Sequence, residues 1–387
     1  MKKVIFLLLI LLLSGCNYKE IDKIAITIGC GLKKTEKGYQ VTLQIADTQK
    51  QDSSNSSTSP VRFKNYSYED KTIHEAARGI LTKLPKKAYT NHMQILVIDE
   101  QIAKEEINEI IDFFFREVEL RNVFYVFISK KNSPEEILGV LTQIYPINSV
   151  GIRNLLKNNN KYLSGSVLTT FEELVDEYIS DTKEIILPII TVIGDEGDKK
   201  ENLDSSIPKS LLYLNETAIF KENKLSHYLT KDETIYYNLI TNKLNQTILS
   251  YECEENKYIT LEIIENKSKI KIEQNTPNIN INIKAKANLT SSMCNYDISK
   301  ESGIKEIEDK AKKEIEQNIN NLINKTKEYQ TDIFLFKDLY YKYNNKYYNN
   351  ISDYNEFYKK IKIKTNIELN IFEKGNSLQV IENEKNK

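Results

Sequence analysis

The residues His92-Met93-Gln94-Ile95-Leu96-Val97-Ile98 decide the fold of the first half of the chain. This short apolar run predicts a strand, and residues 102–115 follow it with apolar side chains at helical spacing. Residues 123–129 again predict a strand, and Ser133-Pro134-Glu135-Glu136 supplies an N-cap, a first-turn proline and an acidic residue for the next helix. Because strands and helices alternate here, the sequence predicts an α/β layer.

The residues before this block predict a hairpin, a loop and a helix. Residues 23–32 are apolar and β-branched, and residues 39–46 alternate apolar with polar side chains, so two paired strands are expected. Residues 49–60 are polar and serine-rich, and they predict a mobile loop because they carry too little apolar surface to order themselves. Residues 72–84 begin with a Thr-Ile-His-Glu capping box and stop before a proline, which predicts a helix.

The second half of the chain has a different pattern. Residues 194–208 collect Gly, Asp, Lys, Ser and Pro and are the expected domain boundary. Residues 216–229 predict a hairpin, and residues 279–289 alternate for long enough to indicate a sheet with one buried face. Residues 302–326 predict a long amphipathic helix across that sheet, and residues 361–371 predict a last strand. The C-terminal unit is therefore expected to be α+β, with a mostly antiparallel sheet.

The first residues have the three zones of an export signal. Lys2 and Lys3 precede an apolar run at residues 4–13, and Leu13-Ser14-Gly15-Cys16 closes it. The run is about half as long as a membrane-spanning helix requires. The closing residues resemble the bacterial lipobox, which predicts cleavage before Cys16 and attachment of S-diacylglyceryl and N-acyl groups to that residue.

These observations divide the multi-domain chain. Residues 1–15 are the expected signal peptide, residues 16–200 an N-terminal α/β domain of one or two subdomains, residues 210–375 a C-terminal domain and residues 376–387 a tail. Removing the signal leaves 372 of the 387 residues, which is enough for two or three domains with their own cores.

The net charge argues against a nucleic-acid-binding protein, and the few cysteines argue against a fold held by several disulfides. The formal net charge of −1 gives no field that would attract nucleic acid, so no nucleic-acid partner is predicted. After lipidation only Cys30, Cys253 and Cys294 remain, so at most one disulfide can form. The sequence leaves the redox state of these three residues open.

The chain lacks the motifs of a catalytic or metal site. It has no Gly-x-Ser-x-Gly elbow, no paired-cysteine redox motif and no phosphate-binding glycine loop. His74, His92 and His227 lie far apart and none has ligand spacing, so no metal and no cofactor is predicted. Carboxylates are plentiful, but most fall on the polar faces of amphipathic helices, so no catalytic residue is assigned.

A group of charges stands between the end of one predicted helix and the next strand. Arg116-Glu117 and Glu119-Leu120-Arg121 place opposite charges close together in the sequence. They are compatible with a buried ion pair that orients this corner and equally with a surface ion pair that contributes little.

An aromatic cluster lies near the last helix. Phe334, Phe336, Tyr340 and Tyr341 have the composition of a ligand box, but Phe336 and Tyr340 are one helical turn apart. This spacing favours core packing over ligand binding.

These residues resemble the Ger(x)C lipoproteins, the C subunits of nutrient germinant receptors in spore-forming Firmicutes. The similarity includes Lys19-Glu20-Ile21-Asp22-Lys23-Ile24-Ala25 after the lipobox, the block at residues 92–98, and the charged corner. It continues in the hairpin at residues 216–229, which is similar to the first hairpin of the family's C-terminal domain, and in Asp332-Ile333-Phe334. The chain departs from the family at two positions, with Asn17 where Trp is usual and His227 where Gly is usual.

The resemblance implies a non-enzymatic subunit with two integral membrane partners, the A and B subunits of the receptor. It implies attachment through Cys16 to the outer face of the cytoplasmic membrane, which is the inner membrane of the spore. A diacylated cysteine suits this role, because a single acyl chain binds a bilayer only weakly. The germinant is then expected to be recognised by the other subunits rather than by this chain.

Two other functions remain open from sequence. A solute-binding lipoprotein of a transporter would share the lipobox but predicts two similar α/β lobes that close on a ligand. An envelope enzyme would rest only on carboxylates that no motif assigns. The different patterns of the two halves favour the receptor subunit over the solute-binding protein.

Overall fold

A computed structural model describes residues 23–47 and 61–373. The predicted signal peptide, Cys16, the predicted loop at residues 49–60 and the tail from residue 376 lie outside the described residues. The described chain forms a nine-stranded sheet and a four-stranded sheet, both packed with helices. The predicted multi-domain α/β and α+β class is confirmed.

The nine-stranded sheet has the order β3-β2-β1-β5-β6-β7-β8-β9, with β4 paired to the beginning of β1. Strands β1, β5, β6 and β7 are parallel, and the pairs at both ends of the sheet are antiparallel. Its strands are β1 (Ile24–Thr35), β2 (Gly38–Ala46), β3 (Phe63–Asp70), β4 (Lys87–Tyr89), β5 (Ile95–Asp99), β6 (Tyr125–Ser129), β7 (Ile186–Gly194), β8 (Ser210–Lys221) and β9 (Lys224–Thr230).

Helices cover both faces of this sheet. On β5, Leu96 and Ile98 belong to the core on one face, whereas Ile95 and Val97 belong to the core on the other. All four side chains are fully buried, as expected for a central parallel strand. The helices up to the second sheet are α1 (Ile73–Gly79), α2 (Glu100–Glu105), α3 (Asn108–Arg116), α4 (Pro134–Gly139), α5 (Asn148–Tyr162), α6 (Phe171–Tyr178), α7 (Glu201–Asp204) and α8 (Lys231–Ile240).

Local signals explain where several helices begin and end. Ser133 is the N-cap of α4, as the sequence predicts, and Glu136 completes a capping box with it. At α1 the Thr72 hydroxyl accepts from the Glu75 amide, but the Glu75 carboxylate contacts the Thr72 hydroxyl, so only half of the predicted box forms. The helix predicted at residues 102–115 is two helices, since Glu106 has an extended backbone.

The hairpin predicted at residues 216–229 forms as β8 and β9, and it pairs with β7 in the nine-stranded sheet. This sheet therefore contains strands from both sides of the predicted boundary at residues 194–208. Ala218 and Phe220 face the core of the nine-stranded sheet, whereas Ile219 and Leu229 face the core of the second sheet. The hairpin thus joins the two cores.

The second sheet has the order β10-β11-β12-β13. The first two pairs are antiparallel and the last pair is parallel, so the sheet is mostly antiparallel, as predicted. A parallel pair needs a crossover, and the 29-residue helix α9 provides it by packing its apolar stripe on the sheet. The elements of this unit are β10 (Thr247–Glu254), β11 (Lys257–Ile272), β12 (Asn278–Ser292), α9 (Glu301–Tyr329), α10 (Phe336–Tyr343), α11 (Asn345–Tyr348), α12 (Tyr354–Lys360) and β13 (Lys362–Glu373).

The structure shows which of the three described cysteines form a disulfide. Cys253 of β10 and Cys294, just after β12, form a disulfide with a Cα–Cα distance of 6.4 Å. Cys30 is buried in β1, and burial raises the pKa of its thiol to about 12. The Cys30 thiol is therefore inert at neutral pH.

Candidate functional site

The described residues that follow the predicted anchor begin at one edge of the nine-stranded sheet. Cys16 itself lies outside the described residues, but β1 begins at Ile24, and Ile24 pairs with Lys87 of β4. Strands β1, β4, β5 and β6 are parallel, so their first residues mark a common edge. We call it the amino edge of the sheet.

The charged corner predicted from sequence lies at this amino edge. Residues 117–123, the corner loop, connect α3 to β6, and the Lys87 ammonium contacts the Glu119 carboxylate at 2.9 Å. Arg116 pairs with Asp112 of its own helix at 2.8 Å, and both side chains are exposed. The corner therefore has surface ion pairs, with partners that differ from those expected.

The corner loop presents apolar side chains to solvent. The Phe114 and Phe124 rings lie 5.9 Å apart and bring the two ends of the loop together. Next to these buried rings, Phe115 and Val123 are each 63% exposed, and Val118 in the loop is 96% exposed. Such a concentration of exposed large apolar residues is typical of a contact surface.

The three histidines do not meet. His74 lies edge-on to Phe113, and His92 lies edge-on to Tyr89. His227 of β9 stacks on Tyr329 at the end of α9, with ring centroids 3.5 Å apart. Among residues 23–47 and 61–373, no three His, Cys, Asp or Glu side chains are grouped to hold a metal ion.

A second candidate site is the junction between the two sheets, where carboxylates are buried. Glu177 of α6 and Glu184 before β7 are half-buried and line a cavity of about 190 Å³ together with Tyr237 of α8 and Lys243 just after that helix. Burial raises the pKa of Glu177 to about 7, opposed by the nearby Lys243 ammonium. Burial raises the pKa of Glu184 to about 8, and the charge of Asp332 adds to this effect. Both carboxyl groups therefore titrate near neutral pH.

Asp332 organises the turn on the other side of this junction. Its carboxylate accepts hydrogen bonds from the Phe334 amide at 3.2 Å, the Lys337 amide at 2.6 Å and the Tyr354 hydroxyl at 2.7 Å. These bonds hold a turn in which Leu335 has a φ of 63°, a left-handed conformation that costs energy for a leucine. Burial still raises the pKa of Asp332.

Two further side-chain hydrogen bonds join the nine-stranded sheet and its loops to the second unit. The Thr182 hydroxyl donates to Asp338 of α10, and Lys342 contacts the same carboxylate at 2.8 Å. The Lys221 ammonium at the end of β8 donates to the side-chain oxygen of Gln330, which follows α9, over 3.4 Å. The junction is therefore a polar contact that contains titratable groups.

The predicted aromatic cluster belongs to the core. Phe334, Phe336 and Tyr340 are buried, and Tyr341 is half-exposed. Phe334 and Phe336 stack with ring centroids 5.5 Å apart, and the Tyr340 hydroxyl donates to the Thr276 carbonyl. The predicted core packing is confirmed for Phe334, Phe336 and Tyr340.

Sequence reasoning missed the buried carboxylates at the junction. Glu177 has the local pattern of a polar position on an amphipathic helix, and it becomes half-buried where the second unit packs against it. Asp332 does carry a signal, since it precedes the apolar and aromatic residues 333–336.

No helix within the described residues is both long and apolar enough to cross a membrane. A cavity of about 900 Å³ on the nine-stranded sheet lies at the opposite edge from the corner loop, beside the ends of β6 and β7. It is lined mainly by polar and acidic side chains, including Glu135, Glu136, Asp195 and Asp198.

Two family models match almost the whole chain. Residues 17–192 match a model described as the spore germination protein N-terminal domain. Residues 215–375 match a model described as spore germination B3/GerAC-like, C-terminal. The second match begins inside β8.

Two curated proteins of Bacillus subtilis (strain 168) are similar over most of their length. Spore germination protein KC is 25% identical over 353 residues, covering 88% of this chain and 86% of the relative. Spore germination protein B3 is 24% identical over 338 residues, covering 85% and 86%. The crystal structure of the GerBC protein has the same fold, with a TM-score of 0.54 at 18% identity, and the alignment covers 89% of this chain and 97% of that one.

Proposed function

Since this chain belongs to the GerAC-like spore germination proteins and carries both domains of that family, we propose that it is a non-catalytic subunit of a spore nutrient germinant receptor. The observation that carries the proposal is the nearly end-to-end similarity to spore germination proteins in both halves of the chain. Its role is to support assembly of the receptor or transmission of its signal.

The subunit is held on the outer face of the spore inner membrane by lipid on Cys16. The lipobox at residues 13–16 supports this attachment, because it follows a cationic and then an apolar zone. Two or more acyl chains give persistent binding to a bilayer, whereas one does not. The two integral membrane subunits of the receptor are then its neighbours in the same membrane.

The polar junction between the sheets suits a coupling role better than a chemical one. Its carboxylates are held by backbone amides, a tyrosine hydroxyl and a threonine hydroxyl, as Asp332 and Asp338 illustrate. The solute-binding alternative predicts two similar lobes, but a nine-stranded sheet and a four-stranded sheet are dissimilar units. The receptor subunit is therefore the better interpretation.

Spores of a strain that carries this protein test the proposal. Loss of refractility after nutrient addition is followed in wild type, a deletion strain and a strain with Cys16→Ala. A Tyr18→Ala strain is the matched control, because it changes a neighbouring residue and keeps the lipobox. A trigger that bypasses receptors shows that the spores remain able to germinate.

We expect the deletion and Cys16→Ala to abolish the response to nutrients and to leave the bypass response and the Tyr18→Ala response intact. A deletion that leaves every nutrient response intact, in a strain without other receptors, would contradict the proposed function. A deletion phenotype without a Cys16→Ala phenotype would contradict only the lipid attachment.

A further inference from the structure

We propose that the corner loop, with Val118 and Val123, and the neighbouring Phe115 at the end of α3 contact the lipid bilayer directly and fix the orientation of the protein on the membrane. This inference rests on the proposed lipidation of Cys16. It adds a second contact with the membrane, made by the folded domain itself, to the covalent anchor.

The position of the corner loop supports this contact. Seven peptide units separate Cys16 from Lys23, so these two Cα atoms are at most about 25 Å apart. Lys23 precedes β1, whose first residue Ile24 pairs with Lys87, and Lys87 binds Glu119 of the corner loop. The loop therefore lies at the edge of the fold that a lipid on Cys16 holds near the bilayer.

The side chains of the loop have the chemistry that a membrane interface binds. Val118 is almost completely exposed, and Phe115 and Val123 are each exposed over more than half of their surface. Two exposed cations accompany them, Lys86 just before β4 and Arg121 in the loop, whereas Lys87 and Arg116 are paired with Glu119 and Asp112. Apolar residues that enter the headgroup region, flanked by cations that face lipid phosphates, are typical of peripheral membrane contacts.

The opposite edge of the sheet provides a matched comparison. Ile207 is 79% exposed in the segment that leads into β8, where Ser210 pairs with Gly194 at the carboxyl end of β7. It resembles Val118 in size and exposure but lies on the edge that faces away from the predicted anchor. If exposure alone led to lipid contact, both residues would touch the bilayer.

A single tryptophan tests the contact, because the chain contains no Trp of its own. Val118→Trp is introduced into the full-length lipidated protein, which is reconstituted on vesicles of phosphatidylcholine and phosphatidylglycerol, with or without bromine on the acyl chains. We expect a blue shift of the emission of Val118→Trp on vesicles and about twofold quenching by the brominated lipid, because interfacial side chains enter the boundary of the acyl chains. Ile207→Trp is expected to show neither change.

Flotation of the same samples separates this inference from the proposed anchor. Protein that fails to float with the vesicles contradicts the lipid on Cys16. Protein that floats while Val118→Trp and a second variant, Val123→Trp, stay unquenched overturns the bilayer contact and leaves the anchor intact. Loss of the quenching when the integral membrane subunits are co-reconstituted also overturns it, since the loop would then bind those proteins instead of lipid.

Discussion

The Thr182 hydroxyl donates a hydrogen bond to the Asp338 carboxylate over 2.9 Å, although 156 positions separate the two residues in the chain. Thr182 precedes β7 of the nine-stranded sheet, and Asp338 lies on α10 of the second unit. Both residues are buried. A hydrogen bond to a charged acceptor in a buried site contributes more than one between neutral groups, so this contact couples the stabilities of the two units.

Thr182→Val is expected to lower the free energy of unfolding by about 1.5–3 kcal/mol, because it removes a charge-assisted hydrogen bond and leaves a buried carboxylate with fewer partners. Urea unfolding of the full chain measures the change. Thr290→Val is the matched control, since Thr290 is exposed on β12 and should change stability much less. Equal effects of the two variants would show that the Thr182 contact contributes nothing specific.

Glu184→Gln is expected to remove part of the pH dependence of stability. The pKa of Glu184 is raised from 4.5 to about 8, so the folded protein holds a proton that the unfolded chain releases between these values. Stability from this group is therefore lost as pH rises from about 4.5 to about 8. The variant should be more stable than wild type by about 1–2 kcal/mol at pH 8, allowing for partial solvent screening, and nearly equal to it at pH 5.

Urea unfolding at several pH values measures this difference. Glu328→Gln on the exposed face of α9 serves as the control and should change stability equally at all pH values. A Glu184→Gln variant that follows the wild-type pH dependence would show that Glu184 is ionised in the folded protein at neutral pH.

The Cys253–Cys294 disulfide closes a loop of 41 residues. The double variant Cys253→Ala, Cys294→Ala is expected to lose about 2–4 kcal/mol of stability, because the cross-link restricts the unfolded chain. Dithiothreitol should destabilise the wild type by a similar amount and leave the double variant unchanged. Cys30→Ala should keep the sensitivity to dithiothreitol, and a wild type that does not respond to the reductant would contradict the prediction.

Local patterns were enough to predict the strands that matter most for the fold. The apolar run at residues 95–98 is buried on both faces in β5, and the alternation at residues 279–289 is the buried face of β12. Both follow from side-chain periodicity, which depends on neighbouring residues alone. The sequence-based assignment of a long helix across the second sheet was correct for the same reason.

Long-range pairing could not be predicted in this way. The hairpin of β8 and β9 was identified from its turn, but its pairing with β7 depends on contacts that a local pattern does not encode. The partial burial of Glu177 and Glu184 is missed for a related reason, because a carboxylate on a helix or in a loop has the same local pattern whether or not a second unit covers it. At the amino edge, the sequence indicates the charged corner, but it does not indicate the exposure of Val118, which depends on what packs around the loop.

Phe336→Ala tests whether the aromatic cluster is core or a binding site. Phe336 is fully buried against Phe334 and Tyr358, with ring centroids 5.5 and 6.2 Å away, so its truncation should leave a cavity and lower stability by about 3–5 kcal/mol. Tyr341→Ala is the matched control, since Tyr341 is half-exposed on the same helix and its removal should cost about 1 kcal/mol or less. Urea unfolding of both variants decides between the two interpretations. If Phe336→Ala is no more destabilising than Tyr341→Ala, the ring is not part of a close-packed core, and a ligand-binding role for the cluster would have to be considered again.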